Sequence, residues 1–187
     1  MGEKKADRRT AKTQKAIINA FASLLAEKEL NKSTVREISD RADINRATFY
    51  KHYLDVYDLY ERVEKDILIE WSSLILQLEE LEAEEFFKCL VSYISGNRDI
   101  FKMVFSPNAP SLLRMKLYKS FEGLFKQLMS EALETNLSDE RLSFMSCYRA
   151  QGCLALLSKW ISEGFVQSDD LIVQIMTELD SNTEKII

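Results

Sequence analysis

The sequence has few of the residues that end helices and make tight turns, since its 187 residues include only 5 glycines and 2 prolines. A β-rich chain of this length needs many tight turns, and these mostly use Gly, Pro and Asn. Long helices joined by few turns are therefore favoured. The spacing of the apolar residues agrees, because it predicts about nine helices and no strand. We expect an all-α fold.

Histidine and cysteine are scarce as well, with one His and three Cys. The single histidine, His52, excludes metal sites that need two or more His ligands, and it limits any catalytic triad to that residue. Cys89, Cys147 and Cys153 stand singly in apolar helical stretches, which is typical of buried free thiols in a reducing cytoplasm. Zinc binding or redox sensing is the alternative for these thiols. No Gly-rich phosphate loop and no acid–base pair is evident. We expect no metal, no cofactor and no enzymatic activity.

Long apolar runs are also missing. No stretch approaches the roughly 20 apolar residues that are needed to cross a bilayer. The charged residues at the start of the sequence are not followed by an apolar run, as they would be in a secretory signal. We therefore expect a cytoplasmic protein with no membrane partner.

Charge is divided unevenly along the chain. Residues 1–53 carry 12 basic and 7 acidic side chains, a balance of +5, whereas residues 54–187 carry 13 basic and 23 acidic ones, a balance of −10. The net charge of −5 is therefore an average over two different segments. Such asymmetry predicts a nucleic-acid-binding segment followed by an acidic body.

Two short helices follow each other closely in the basic segment. Thr34 and Glu37 have the spacing of a capping box, which starts one helix at residue 35. Asn45 is a favourable N-cap for the next helix, which we expect to reach Tyr53. A turn at Asp43 separates them. Two capped short helices on either side of a three-residue turn are typical of a helix-turn-helix motif.

The motif divides into an inner and an outer set of side chains. The inner, apolar set is Val35, Ile38, Ala42, Ile44, Phe49 and Tyr53. The outer set is Arg36, Asn45, Arg46, Ala47, Thr48, Tyr50, Lys51 and His52. Arginine pairs with guanine, alanine contacts the thymine methyl group, and the other types bind phosphates, so the outer set is suited to a DNA groove.

This segment resembles the signature of the TetR (TetR/AcrR-like) family of bacterial transcriptional regulators. The resemblance is carried by the run from Thr34 to Tyr53, above all by its end, Thr-Phe-Tyr-Lys-His-Tyr at residues 48–53. The motif match covers about residues 9–60, and the rest agrees in size, helicity and layout. Two positions depart from the family pattern: Asp43 stands where Gly is usual, and Val56 where a phosphate-binding Lys is frequent.

The resemblance implies a role for each matching residue. Arg36, Arg46 and Ala47 would face bases, and the phosphate backbone would be held by Thr34, Asn45, Thr48, Tyr50, Lys51 and His52. The alternative for His52 is packing at a helix end. The basic residues Lys4, Lys5, Arg8, Arg9 and Lys12 either reach a neighbouring groove or form a solvated arm. The expected domains are residues 1–54, which bind DNA, and 55–187, which bind an effector and dimerise.

The helix predicted from Ser138 to Ser162 is apolar nearly all round and must be covered on more than one side. A second subunit is the natural cover, and the resemblance agrees, since TetR-like regulators dimerise through their last two long helices. The expected interface comprises Tyr148, Gly152, Ala155, Leu156, Trp160, Ile172, Ile175 and Met176. A helix buried within a monomer is the alternative. Arg149 should pair with a carboxylate across the interface or bind an anionic ligand.

The resemblance also implies a small-molecule pocket in the acidic body, lined by Trp71, Phe101, Phe105, Phe121, Phe125 and Phe144. Ordinary core packing is the alternative for these aromatic residues. The predicted function is a homodimeric regulator, most simply a repressor, that binds a palindromic duplex and is released by an unknown small molecule. The alternative is an all-helical adaptor or co-regulator that acts through protein contacts of the acidic body.

Overall fold

The computed structural model describes the backbone of residues 3–78, 81–132 and 138–184, and the side chains of residues 8–76, 81–131 and 138–183. Within these ranges the chain is helical, without a strand, which confirms the predicted all-α class. The nine helices there are α1 (Glu3–Glu27), α2 (Val35–Arg41), α3 (Arg46–Phe49), α4 (Val56–Leu78), α5 (Ala83–Gly96), α6 (Arg98–Phe105), α7 (Ser111–Ala132), α8 (Asp139–Ser162) and α9 (Asp169–Glu184).

Side-chain caps fix several helix starts. The Asp55 carboxylate accepts hydrogen bonds from the amides of Tyr57 and Asp58, both at 2.8 Å, at the start of α4. Ser138 accepts a bond from a first-turn amide of α8, and Ser168 does so for α9. Each cap satisfies amides that have no partner inside the helix.

The spacing of apolar residues predicts a first helix from about Arg9, a third helix that reaches Tyr53 and a last helix that ends near Leu179. These three predicted boundaries are wrong. α1 begins at Glu3 rather than near Arg9, since the added turns consist mainly of strong helix formers. α3 ends at Phe49 rather than Tyr53, because the amides of Lys51 and His52 bond three residues back, to Thr48 and Phe49, and so tighten the winding. α9 continues beyond Leu179 to Glu184. The expected ends of α4 at Glu80 and α7 at Thr135 lie outside the described residues.

The chain forms two compact units. The first comprises Met1–Ile67 with Asp99–Ser111, and the second comprises Leu68–Arg98 with Leu112–Ile187. Compactness thus groups the start of α4 and most of α6 with the helix-turn-helix. The division into functional domains after residue 54 stays a prediction.

The first unit is built around large side chains with no exposed surface, among them Ile17, Phe21, Ile38, Phe49 and Leu59. They come from α1 to α4, so one core joins the helix-turn-helix to its supporting helices. The turn after α6 is tied to the end of α1, where Ser106 Oγ donates to the Leu25 carbonyl at 3.2 Å and Asn108 donates to that of Ala26.

The second unit has an aromatic core and a buried ion pair. α9 packs mainly along α5. The Arg149 guanidinium donates to both carboxylate oxygens of Asp180, at 2.7 and 2.8 Å from Nη2, and lies 4.7 Å from the ring centre of Phe125. Both charged side chains are less than a tenth exposed. The expected carboxylate partner of Arg149 therefore exists, but it lies in the same chain rather than across an interface.

The cysteines differ from the expectation of three buried thiols. Cys89 is exposed, because α5 buries the opposite side through Phe86, Phe87, Leu90 and Val91. Burial raises the pKa of the Cys153 thiol to about 12, so this thiol stays protonated near neutral pH. No group of three metal-binding side chains occurs among the residues that the structure describes. No helix in the described ranges is long and apolar enough to cross a membrane.

Candidate nucleic-acid interface

The start of α2 is held by a complete capping box. Thr34 Oγ1 accepts a hydrogen bond from the Glu37 amide at 3.3 Å, and Glu37 Oε2 accepts one from the Thr34 amide at 3.2 Å. Lys28, the residue that follows α1, binds the same carboxylate at 2.6 Å. These contacts, from Lys28 first and then Thr34, lower the pKa of Glu37. The capping box therefore fixes the start of α2, and the bond from Lys28 ties that start to the end of α1.

The turn between α2 and α3 is built without glycine. Asp43 has φ +53°, the left-handed conformation that glycine adopts most easily. The chain still closes the turn, because the Ile44 amide donates to the Ser39 carbonyl at 3.0 Å. Aspartate tolerates this conformation better than most residues, so the expected turn at Asp43 forms despite the departure from the family pattern.

From the positive φ of Asp43 we predict different effects on the free energy of unfolding for two substitutions at this position. Asp43→Gly removes the steric cost and should leave the free energy of unfolding unchanged or slightly higher. Asp43→Val places a branched side chain at positive φ and should lower it by about 1–2 kcal/mol. Thermal and urea unfolding of the two variants measure the difference. Equal stability of both variants would contradict the assigned conformation.

Helix α3 presents its polar residues outwards. Asn45 Oδ1 accepts a bond from the Ala47 amide at 2.9 Å and starts the helix. Phe49 is fully buried, whereas Tyr50 is 57 % exposed and meets the edge of the Phe49 ring. Arg46 and Ala47 are exposed on the first turn. This short helix is therefore anchored by one aromatic residue, and Arg46 and Ala47 stay open to solvent.

Hydrogen bonds to Asp58 hold the link between α3 and α4 in place. The Leu54 amide donates to Asp58 Oδ2 at 2.8 Å, and Arg62 donates to the other oxygen of that carboxylate at 2.9 Å. Both bonds lower the pKa of Asp58, the backbone bond most. Val56, at the position of the family's frequent lysine, is only 6 % exposed and belongs to the core. This position therefore contributes no phosphate-binding cation.

The structure places the predicted DNA-contacting residues on the surface of one unit, with two degrees of exposure. Thr48 and His52 are half-buried, and the exposed residues are Thr34, Arg36, Asn45, Arg46, Ala47, Tyr50 and Lys51. Three of these side chains already have partners: Thr34 and Asn45 act as caps, and Arg36 lies 3.7 Å from Asp40. The Arg36 pair is exposed on both sides and is therefore weak.

A second surface feature lies on the second unit. A groove of about 130 Å³ runs between α8 and α9, and its walls include Tyr148, Gly152, Leu156, Leu179 and Thr183. A neighbouring hollow adds Phe144 and Met145 beside Tyr148 and Thr183. We call the lining residues of these two depressions the α8/α9 face.

The α8/α9 face is strongly apolar and open. Phe144 is 78 % exposed, Tyr148 is 70 % exposed and Leu179 is 57 % exposed. A Cβ atom added at Gly152 would meet nothing within 4 Å. Exposed apolar surface of this extent on the face of two long helices is typical of a site that is covered by another molecule.

The predicted interface residues fall into two groups on these helices. Trp160, Ile172 and Met176 are at most 5 % exposed and lie beneath the surface of their own unit. The open or half-open members are Tyr148, Gly152, Ala155, Leu156 and Ile175. The prediction left out Phe144 and Leu179, although each lies four residues from a predicted member, on the same side of its helix.

The predicted ligand-pocket aromatic residues come from both units. Trp71, Phe121 and Phe125 lie in the second unit. The ring centre of Phe121 is 5.8 Å from that of Trp71 and 5.0 Å from that of Phe125. Phe101 and Phe105 belong to the first unit, and Phe144 is at the surface. Core packing, the alternative reading, accounts for the contacts of the three packed rings.

Comparison with known proteins identifies both halves of the chain. Residues 17–63 match the family model of bacterial regulatory proteins of the tetR family, and residues 82–181 match that of a transcriptional regulator C-terminal region. A Bacillus subtilis HTH-type transcriptional regulator, YxbF, is 22 % identical over 87 % of the chain. The chain spans 43 % of the length of that relative.

Solved structures show the same fold. The dihydroxyacetone kinase operon activator DhaS superposes with a TM-score of 0.63 at 21 % identity, covering 94 % of this chain and 97 % of that one. NalD, the secondary repressor of the MexAB-OprM multidrug efflux pump in Pseudomonas aeruginosa, gives 0.63 at 14 % identity, covering 94 % and 97 %. Since its C-terminal model alone spans more than half of the sequence, the chain belongs to the TetR family of bacterial transcriptional regulators.

Proposed function

We propose that this TetR-family protein is a homodimeric repressor that binds a palindromic operator through α2 and α3 and is released by a small-molecule effector. The observation that carries DNA binding is the structure of α3. Its buried Phe49 fixes the helix, and exposed Arg46, Ala47, Tyr50 and Lys51 surround that anchor. A short helix that presents guanidinium, methyl and hydroxyl groups together is suited to base edges and phosphates in the major groove.

In this proposal Arg36, Arg46 and Ala47 read bases, and the phosphate contacts come from Thr34, Asn45, Thr48, Tyr50, Lys51 and His52. Arg36 would exchange its weak pair with Asp40 for a base. Asn45 caps α3 through its oxygen, which leaves its NH₂ group to donate to a phosphate. Capping and DNA contact are thus compatible at this residue.

Selection from a random-sequence duplex library with the full-length protein tests DNA binding directly. We expect an inverted repeat, because two identical reading heads in a symmetric dimer require two related half-sites. If no sequence is enriched over the starting library, the adaptor alternative takes the place of the regulator.

Dimerisation is proposed through the α8/α9 face, with a second copy of the chain as the occupant. A copy would cover the exposed apolar groups of Phe144, Tyr148 and Leu179, and the bare backbone at Gly152 would allow two α8 helices to approach closely. The family relationship supports this occupant, since TetR regulators are typically dimeric. Two such helix pairs would form a four-helix interface.

Two glycine substitutions separate dimer contact from folding. Gly152→Leu meets open space within its own subunit and replaces a helix-interior glycine, so subunit stability should rise by roughly 0.5–1 kcal/mol. Against a partner helix, however, the new side chain should clash and convert the dimer to monomer.

Gly123→Leu in α7 is the matched control, because it is also helical, exposed and surrounded by open space. Sedimentation velocity should show a dimer for the wild type and for this control. A Gly152→Leu protein that remains dimeric would rule out the proposed face.

Repression and effector release rest on the family resemblance. The solved relatives include an activator, DhaS, as well as a repressor, NalD, so the shared fold is compatible with activation and with repression. A reporter gene behind the selected operator distinguishes repression from activation. A repressor predicts higher expression of the reporter when the regulator is deleted. For the effector, binding should separate Trp71 from Phe121 and change the Trp71 fluorescence of a Trp160→Phe variant.

A further inference from the structure

The first half of α1 carries a basic surface that the helix-turn-helix alone does not explain. Residues 8–15 contain four cations, Arg8, Arg9, Lys12 and Lys15, and no acidic residue. All four side chains are exposed, and no residue from 8 to 16 is buried. We name these four residues the α1 basic face. The side chains of Lys4 and Lys5 lie outside the described residues.

The α1 basic face points away from the core. At about 100° per residue, Arg8, Lys12 and Lys15 form one stripe, and the buried stripe of Ile17 and Phe21 lies on the opposite side of the helix. The second half of α1 is held by α2, where Arg41 binds Glu27 at 2.7 Å. The helical segment before residue 17 is therefore anchored through the second half of α1, and its charged side chains are directed outwards.

Ion pairing separates the cations of this unit into two groups. Lys28, Lys32, Arg36, Arg41 and Arg62 each lie within 4 Å of a carboxylate. In the described part of the unit, no ion pair was found for Arg8, Arg9, Lys12, Lys15, Arg46, Lys51 and Lys65. The α1 basic face thus shares its lack of ion pairs with Arg46 and Lys51 of the proposed DNA-binding surface, whereas Arg36 of that surface is paired with Asp40.

The arrangement is unfavourable for the free helix. Arg8 and Lys12 are like charges at i, i+4, and Lys12 and Lys15 are like charges at i, i+3, which destabilises a helix. A polyanion would relieve this repulsion. Duplex DNA is the polyanion that the neighbouring motif binds, and Val56 leaves one phosphate contact of the family pattern unfilled.

We propose that the α1 basic face binds backbone phosphates of the DNA that flanks the operator half-site. The proposal rests on the proposed function, because it extends the same protein–DNA interface beyond the recognised bases. From residue 8 to residue 15 the helix rises about 10 Å, which is more than the spacing of successive phosphates on a strand. The contacts would add affinity and salt dependence but no base specificity.

The test compares two charge-matched variants of the full chain. One carries Gln at Arg8, Arg9, Lys12 and Lys15, and the control carries Gln at four exposed cations of the second unit, Lys88, Lys119, Lys126 and Arg141. Both lose four positive charges. The probe is a 40-base-pair duplex obtained by library selection, with its flanks intact or trimmed to the inverted repeat. A third variant, R8K/R9K/K12R/K15R, keeps the charge of the α1 basic face.

For the flanked duplex, we expect the α1 variant to reduce the slope of log affinity against log salt by about 0.9 for each phosphate that it no longer binds, at least about 2 for a dimer. The control and the charge-keeping variant should change it by less than 1. On the trimmed duplex, wild type and α1 variant should bind alike. Amide hydrogen exchange of residues 8–15 should slow when wild type binds the flanked duplex.

Three results would overturn the inference: equal reductions in slope for the α1 variant and the control, wild-type affinity that does not depend on the flanks, or unchanged exchange in residues 8–15. Wild type that enriches no sequence at all would instead overturn the proposed function. Circular dichroism and melting temperature of each variant confirm that it is folded, and the charge-keeping variant separates loss of charge from loss of helix.

Discussion

Arg46→Ala should weaken binding to the selected duplex by about 10- to 100-fold for each half-site and should relax base preference at one position. The physical reason is the loss of a bidentate contact to a base edge, which contributes about 1–3 kcal/mol of discrimination. Arg46 is exposed, has no ion pair in the described part of its unit and lies on the first turn of α3. Its removal should therefore leave the melting temperature unchanged.

Two further substitutions make the Arg46 experiment specific. Arg46→Lys keeps the charge but loses the fork geometry, so it should keep the salt dependence and still lose base preference. Lys32→Ala, at an exposed cation of the same unit that is paired with Glu29, should cause little loss of affinity. Equal effects of Arg46→Ala and Lys32→Ala would show that Arg46 contributes general charge rather than base contact.

Arg149→Leu should lower the stability of the second unit by about 3–5 kcal/mol, because the buried Asp180 carboxylate loses its hydrogen bonds from the Arg149 guanidinium. The guanidinium is bound to both oxygens of that carboxylate and stacks on Phe125, so α8, α9 and α7 meet at one side chain. Arg149→Leu with Asp180→Leu should recover most of the stability, since replacing both residues also removes the cost of burying the carboxylate.

Tryptophan fluorescence during urea unfolding measures this effect in the relevant unit, because Trp71 and Trp160 both lie in the second unit. Arg141→Leu, an exposed position on the same helix, is the control and should change stability by less than about 0.5 kcal/mol. A double variant as unstable as Arg149→Leu alone would mean that the side chain acts through packing rather than through its charge.

Local features of the fold could be predicted from the sequence because short-range chemistry determines them. The capping box at Thr34, the N-cap at Asn45 and the turn at Asp43 each depend on residues within three or four positions, and all three form as expected. The burial of Phe49 and the exposure of Tyr50 follow from helical spacing in the same way.

Features that depend on distant residues could not be predicted. Asp180 is 31 residues from Arg149, and nothing in the spacing of α8 identifies its partner. The aromatic residues expected around a ligand share a residue type, but their shared type does not show that Trp71 is buried whereas Phe144 is 78 % exposed. The apolar neighbours of Cys89 predict a buried thiol, but those neighbours face the other side of α5.

The central claim, that the chain is a sequence-specific DNA-binding regulator, is tested most directly by a competition measurement. Wild-type protein is bound to the selected duplex at about 0.15 M salt and displaced by the same duplex or by one with a scrambled inverted repeat. We predict that the scrambled duplex competes at least about 1000-fold more weakly, as expected for specific over non-specific binding. Equal competition by the two duplexes would contradict sequence-specific binding.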